Sequence, residues 1–482
     1  MLLFSRRRTI RWGRPPIPHA TRNVWIISAS WLLACLMILS ACTVAPVRNR
    51  AEIPETLPAQ FDACDAVDAD EPLVWTESFP SPSLTVDIQT LINENFELKA
   101  ARARVDQAAI AYGIAGSDRW PSVEAKADVD RARVKEDEPD STATTRNTIA
   151  FEAALTWELD IWGRLKTRQA AAALTLQKKQ ALADQIALDL QTLLVESWIT
   201  QHGAKRLKQV LREQRETNLQ YLGLTELGFT QGQASVLDVL QQRGNLVSTE
   251  RSLPDVDARR RRAANAYAVL LGRLPGECDL AEDAWPVIGP LPHLVSPRRL
   301  LDLRPDLRAA FLALEAADHE VAAAIADRLP RLSIGLTVAE SGSSLRRIGD
   351  GNVLRVASGL LVPVFDAGRL KANVAKREAE ARESLAVLEQ AMRVAVREVE
   401  DALAVEMALF DEHGLLLAEI AIARDTVKEA TLQYVNGQET FLAVLAALVK
   451  QQTLQQNEIA LQQELLINRA RLLKALGAKW SR

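Results

Sequence analysis

Four cysteines and five histidines are the residues of widest chemical reach in this chain, and their placement narrows what they can do. A paired Cys-x-x-Cys, a His-Glu-x-x-His helix, a phosphate-cradling glycine loop and a Gly-x-Ser-x-Gly elbow are all missing from the sequence. His202 and His413 each stand beside a glycine in helical sequence, which suits a solvated helix face better than a metal ligand. Such a set points away from catalysis, so neither an enzyme nor a cofactor is expected. Among the thiols, Cys42 is the one with a local setting that suggests a reaction, because it closes an apolar run behind small residues.

That run belongs to an N-terminal segment with its own logic. Arg6, Arg7, Arg8, Arg11, Arg14 and Arg22 form a basic head, and Val24 to Leu39 is apolar. A basic head, an apolar run and small residues before a cut describe a secretory signal over residues 1–41. A run of this length would also serve as an uncut signal anchor. Leu39-Ser40-Ala41-Cys42 resembles the bacterial lipobox, whose cysteine takes a diacylglycerol thioether and becomes the mature N-terminus. The resemblance implies that Cys42 is lipidated and held to membrane lipid through buried methylenes. Thr43, where inner-membrane retention would need Asp, implies outer-membrane lipid. Cys35 leaves with the signal. Cys64 and Cys278 then either pair or stay free, and sequence distance does not decide which.

The 482 residues are 48% hydrophobic and 25% charged, as in a folded protein, but only 5% aromatic. Ala, Leu, Gln, Glu and Arg dominate, which favours long helices. Net charge is -4, and removing the six arginines of the leader leaves about -10, so nucleic acid is not an expected partner.

The elements are organised by a repeat. Ile161-Trp162-Gly163-Arg164-Leu165-Lys166 returns as Asp366-Ala367-Gly368-Arg369-Leu370-Lys371. Alternating apolar sequence precedes each copy and helical Ala/Leu/Gln/Glu sequence follows, so a strand should turn into a long helix at Gly163-Arg164 and at Gly368-Arg369. Strand-like alternation runs through Val123 to Val129, Ile149 to Leu159, Leu332 to Val338 and Leu354 to Val362. The first long helix should run from Arg164 to about Thr230, roughly 100 Å if unbroken. Gly232 and Gly437 mark helical reversals, and Pro254 should kink the second helix of the first copy. The expected division is a signal (1–41), an extended lipidated segment (42–85), a first repeat (86–273), a connector (274–300), a second repeat (301–477) and a tail (478–482). In the second long helix Leu385, Leu388, Met392, Val396, Val399, Leu403, Met407 and Phe410 form an apolar stripe, spaced for side-by-side packing with little supercoiling.

Beyond the leader no segment is apolar for long enough to span a bilayer as a helix, yet the strand segments of about ten residues suit tilted membrane strands. Four strands cannot close a barrel, and an open sheet would leave backbone groups unpaired in lipid at several kcal/mol each. Strands that span must therefore be shared: two copies give eight strands with a filled interior, three give twelve with room for a channel. Two ordinary hairpins on a soluble helical bundle are the other arrangement open to these segments.

From Cys42 to Gly477 the chain resembles the TolC-type outer-membrane efflux channels, in their lipoprotein, NodT-like branch. The marks are Trp157 to Arg164, Val362 to Arg369, Arg304-Pro305-Asp306-Leu307, Tyr434 to Gly437 and Leu271 to Pro275. The resemblance implies a mainly helical fold with membrane strands: a homotrimer with one twelve-stranded β-barrel, continued by a twelve-helix α-barrel tunnel with an equatorial belt. It also implies docking on a periplasmic adaptor and an inner-membrane efflux pump of the RND type. Adaptor contact would fall at Gly232, Gln233, Gly437 and Gln438. In well-known members a Tyr before the tip Gly, an Arg after it and two Asp further on close the tip and bind cations. Tyr434 matches the Tyr, but Glu439 replaces the Arg and Ala443 and Ala446 replace the Asp pair, so a lock of that kind is not expected. Asp238 in the first copy is then the candidate for an acidic ring, against an ordinary solvated helix residue. A type I protein-secretion duct shares this fold. A tethered periplasmic scaffold or adaptor is the reading of a different class, though no lipoyl-like β-domain is visible.

Overall fold

The computed structural model describes residues 58, 60–62, 74–134, 143–277, 285–286, 289, 291 and 294–480. The signal, Cys42, Cys64 and Cys278 lie outside the described residues. Two compact bodies emerge. One takes Ala115–Arg168 and His319–Ala375, and the other takes Gln169–Asp318, Lys376–Arg482 and the residues up to Ile114.

The first body is a four-stranded antiparallel sheet in chain order: β1 (Ser122–Val134), β2 (Thr144–Leu159), β3 (Arg331–Gly342) and β4 (Gly351–Leu361). Both hairpins and the junction between them share continuous ladders, such as Val123–Leu155, Leu155–Leu336 and Leu336–Val356. Opposed residues share a face and neighbours along a strand alternate. One face therefore carries Val123, Ala127, Phe151, Leu155, Ile334, Leu336, Val356 and Leu360, with Arg131, Arg133 and Glu340 joining it only at the end farther from the helices. The other carries Glu124, Lys126, Asp128, Glu152, Thr337, Ser333 and Arg355. Among the described residues β1 and β4 pair on one side only.

In the second body the repeat shows in helix lengths. Helix α4 (Arg164–Thr230) and helix α8 (Arg369–Val435) each hold 67 residues. Their partners, α5 (Val236–Leu270) and α9 (Phe441–Ala475), hold 35 each. The remaining helices are α1 (Trp75–Ser78), α2 (Pro82–Glu94), α3 (Phe96–Ser117), α6 (Leu300–Leu303) and α7 (Pro305–Ala326). Helix α5 runs on through Pro254 as a single element.

Residues 42–85, expected to be extended, are helical where described near their end, in α1 and from Pro82 onward. The cause is a local cap: the Ser81 hydroxyl accepts from the Leu84 N–H at 3.1 Å, and Pro82 takes the first helical position. At the head of the first repeat the helical stretch from Pro82 to Ser117 is interrupted once. Asn95 breaks it, with its Oδ1 accepting from the Glu97 and Leu98 N–H groups and its Nδ2 donating to the Leu270 carbonyl. In the second repeat Arg304 does the same tethering, donating to the Ala475 carbonyl.

Two clusters form most of the helical core. Trp75, Phe79, Ile88, Leu194, Trp198 and Trp480 centre the first, and Leu300, Leu307, Leu388, Val399 and Leu472 the second. The Val74–Lys479 bridge and the Trp75 indole, donating to the Ala478 carbonyl at 3.1 Å, fasten the head of α1 to residues 478–479. Along α8 the buried positions are Val374, Ala381, Leu388, Met392, Ala395, Val399, Ala402, Leu403, Glu406, Leu409, Leu416, Ile420 and Ala423. Positions 388, 395, 402, 409, 416 and 423 keep seven-residue spacing, the period of left-handed supercoils rather than of straight packing. The seam consequently drifts away from Met407 and Phe410, which are exposed.

Candidate channel-forming elements

Each strand-to-helix junction is built by a carboxylate and a glycine. In the first, Asp160 accepts from the Leu165 and Lys166 N–H groups at 3.0 and 2.7 Å, capping α4. Gly163 supplies the left-handed turn with φ 73°. In the second, Asp366 lies one position closer to the helix and accepts from the Gly368 and Leu370 N–H groups. The tighter cap leaves two consecutive left-handed residues, Ala367 with φ 53° and Gly368 with φ 83°.

The junction arginines part company. Arg164 is 7% exposed and forks onto Glu158 at 2.8 and 2.9 Å, with Asp327 3.6 Å away. Asp327 also accepts from Arg168 at 2.8 Å and Arg331 at 2.9 Å. Trp162 closes this junction by donating to the Pro330 carbonyl at 2.7 Å. Arg369, at the same place in the second repeat, is exposed. Sequence reading singled out the arginines and missed Asp327. The recurrence of Asp118-Arg119-Trp120-Pro121 as Asp327-Arg328-Leu329-Pro330 was the available signal.

The helical reversals are built alike. Gln233 N–H donates to the Gly228 carbonyl at 2.8 Å and Gly232 N–H to Phe229 at 3.0 Å. In the second copy Gln438 donates to Gln433 at 2.9 Å and Gly437 to Tyr434 at 3.0 Å. Both are Schellman turns, which need a left-handed residue after the helix. Gly232 and Gly437 supply it, with φ 75° and 70°. Tyr434 meets Phe441 edge-on at 5.6 Å and packs with Val444 and Leu445, and Tyr221 lies 3.3 Å from Thr431. Asp238 is engaged in a capping box: it accepts from the Ser235 N–H at 2.8 Å while its own N–H donates to the Ser235 hydroxyl. The second copy has Ala443 there, and Thr440 makes no side-chain cap.

Buried polar groups join the long helices. Glu406 on α8 accepts from Arg469 Nε at 2.8 Å and Asn468 Nδ2 at 2.7 Å, both on α9. Gln214, Asn218, Gln242 and Gln452 form an amide cluster between α4, α5 and α9, where Asn218 Oδ1 accepts from Gln452 at 2.9 Å. Such groups bear no apolar signal and were not legible as seam positions.

No described helix is long and apolar enough to cross a membrane, and no described group of His, Cys, Asp and Glu could hold a metal ion. A membrane role therefore rests on the strands, which hold 13, 16, 12 and 11 residues against the 9–11 a tilted spanning strand requires.

Comparison with known proteins agrees with this arrangement. The pyoverdine export outer membrane protein OpmQ of Pseudomonas putida is 29% identical over 84% of this chain and 88% of its own length. Nodulation protein T of Rhizobium leguminosarum bv. viciae is 26% identical over 91% of each chain. The solved structure of the outer-membrane channel OprN superposes with a TM-score of 0.84 at 25% identity, covering 91% of this chain and all of that one. Residues 88–273 and 296–478 match one family description, and this chain belongs to the outer membrane efflux protein family.

Proposed function

We propose that this chain is the outer-membrane exit channel of a tripartite efflux system, passing small toxic compounds outward without chemistry of its own. Three copies would each contribute four strands to one twelve-stranded barrel, with the long helices lining a tunnel toward a periplasmic adaptor and an RND-type inner-membrane pump. Residues 86–273 and 301–477 act as the two repeats, 274–300 as the connector between them, and 478–482 as a tail. The signal over 1–41 is removed, and lipid on Cys42 at the head of 42–85 anchors each copy.

The observation that carries this reading is the sheet. One face is apolar over the half nearer the helices, from Val123 to Val129 and their partners on β2, the other carries charges, and both edge strands lack a partner among the described residues. Exposed edges in lipid would cost several kcal/mol per unpaired group, so closure by further copies is the stable solution. Polar residues such as Glu124, Asp128, Glu152 and Arg355 would then line a wet interior. A hairpin packed on a soluble bundle would bury its apolar face, whereas Val123, Val129, Phe151 and Val356 are exposed here.

Gly232, Gln233, Gly437 and Gln438 would meet the adaptor, and Tyr434 would hold the tip from inside through Phe441. Asp238 serves first as a helix cap; any acidic ring it forms would use the outward side of a carboxylate already engaged with Ser235. OpmQ's name records export of pyoverdine, a small molecule, which favours small compounds over secreted proteins as cargo.

The test is assembly with conduction. Mature protein extracted from outer membranes in mild detergent should run as a heat-modifiable trimer and give conductance in planar bilayers. A monomer without conductance would sink the reading and leave a tethered helical protein.

A further inference from the structure

The repeat carries information about a junction that one copy cannot form. Hairpin β1–β2 pairs Ser122 with Thr156, and hairpin β3–β4 pairs Arg331 with Leu361. Structural equivalence therefore shifts β1 onto β3 by 209 residues and β2 onto β4 by 205. The 205-residue shift also carries Gly163 onto Gly368 and Arg164 onto Arg369, so it holds through the junction. Inside the chain, β2 of the first repeat pairs with β3 of the second. The edges left open, β4 and β1, are the same two kinds of strand.

We propose that β4 of one copy pairs with β1 of the next in the register that sets Leu360 opposite Ala127, and that Arg369 of the first copy reaches Asp118 of the second. The inference rests on the shared-barrel reading and adds to it a register and an ion pair. The register follows by carrying the observed pair Leu155–Leu336 through the two shifts. Carried likewise, Leu159–Leu332 gives Val364 opposite Val123.

Three observations support it. First, the register keeps faces matched: Leu360 meets Ala127 and Val364 meets Val123 on the apolar face, while Val356 and Leu354 meet Arg131 and Arg133 at the end where that face turns polar. A one-residue slip would turn the apolar face of one copy against the polar face of the next. Second, the ion pair has its template in the chain. Asp327 is 8% exposed beside Arg164, whereas the equivalents Asp118 and Arg369 are both exposed. Third, large apolar side chains stand bare at this edge. Trp120 is 74% exposed, Val364 92% and Phe365 90%, while Leu329 and Leu159, the counterparts of Trp120 and Val364, are half-buried. A single junction between copies covers all of them.

The template also sets a difference. Asp327 is ringed by Arg164, Arg168 and Arg331, but Asn373 and Ser122 replace the last two in the other junction. Asp118 would thus have one cation instead of three. The seam between copies is the more weakly tied of the two junctions.

Cross-linking tests the register directly, since opposed residues on antiparallel strands bring Cα atoms within disulfide range. In a background with Cys64→Ser and Cys278→Ser, Leu360→Cys would be combined in turn with Ala125→Cys, Ala127→Cys and Val129→Cys, then oxidised with copper phenanthroline in native membranes. The Ala127→Cys pair should give covalent dimers and trimers most completely, and the Leu155→Cys/Leu336→Cys control should close inside one chain with no gain in mass. Stronger linking through Ala125→Cys or Val129→Cys, with trimers intact, would overturn the register and leave the channel reading standing. Loss of trimers in the unoxidised parent would overturn both. Asp118→Arg and Arg369→Asp should each lower the temperature at which trimers dissociate, and together restore it. Failure of the double variant to recover would overturn the ion pair.

Discussion

Glu406 and Arg469 meet 2.7 Å apart between α8 and α9, with Glu406 fully buried and Arg469 nearly so. Neither charge has water to fall back on, so breaking the pair by removing one partner costs far more than replacing both. Arg469→Ala should destabilise the protein by about 3–5 kcal/mol, because it strands a buried carboxylate. Replacing both, as Glu406→Leu with Arg469→Met, should cost much less than either single change. Thermal denaturation followed by circular dichroism in detergent reads the difference.

The two helical reversals have the same backbone turn but unequal caps, and that inequality is measurable. Ser235 holds the start of α5 through a reciprocal pair of hydrogen bonds with Asp238, whereas Thr440 at the start of α9 makes none with its side chain. Ser235→Ala should therefore cost about 1 kcal/mol of local helix stability, and Thr440→Ala only a few tenths. Hydrogen exchange at Val239 and Leu240, against Val444 and Leu445, distinguishes them. Equal acceleration at both turns would refute the unequal capping.

Much of this architecture was readable because its signals are local. Alternation marked all four strands, and glycines followed by Arg-Leu-Lys marked both points where strand gives way to helix. Asp327 was not readable as the partner of Arg164, since the recurrence around it marks the residue but not which distant side chain it meets. The seam of α8 was readable in part, since Leu388, Met392, Val399 and Leu403 are buried as expected, but Ala395, Ala402 and Glu406 are buried with little hydrophobicity, while the apolar Met407 and Phe410 are exposed. Counting apolar residues gave a period slightly too long. Ser81-Pro82 was a helix start in plain view, obscured by the Pro and Asp content before it.

Between α4 and α5, Asp257 accepts a hydrogen bond from Lys208 at 2.5 Å. That bond, with the charges of Lys208, Arg260 and Arg261, outweighs partial burial and holds the carboxyl below the ordinary carboxylate range. A depressed carboxylate contributes stability above its unfolded pKa and loses it as pH falls through the folded value. Asp257→Asn should thus lower thermal stability at pH 7, by no more than about 1 kcal/mol for a pair this accessible. At pH 3 the gap between variant and parent should have narrowed. A gap that widened on acidification would contradict the assigned direction.

Leu336 and Thr337 are neighbours on β3 and, by the observed ladders, point to opposite faces of the sheet. Leu336 stands between Leu155 and Val356, on the face assigned to lipid, and Thr337 between Ala154 and Arg355, on the face assigned to the lumen. An arginine in lipid near the bilayer midplane costs about 2–4 kcal/mol, and three copies would bear that cost at once. Leu336→Arg should therefore sharply reduce the yield of heat-modifiable trimer in the outer membrane. Thr337→Arg should assemble normally, because a wet lumen solvates the charge, and should shift conductance toward anions. Equal tolerance of both would mean that neither face meets lipid. Loss of assembly from Thr337→Arg alone would reverse the faces, with the charged side turned outward, an arrangement no bilayer would accept for Glu124, Asp128 and Glu152.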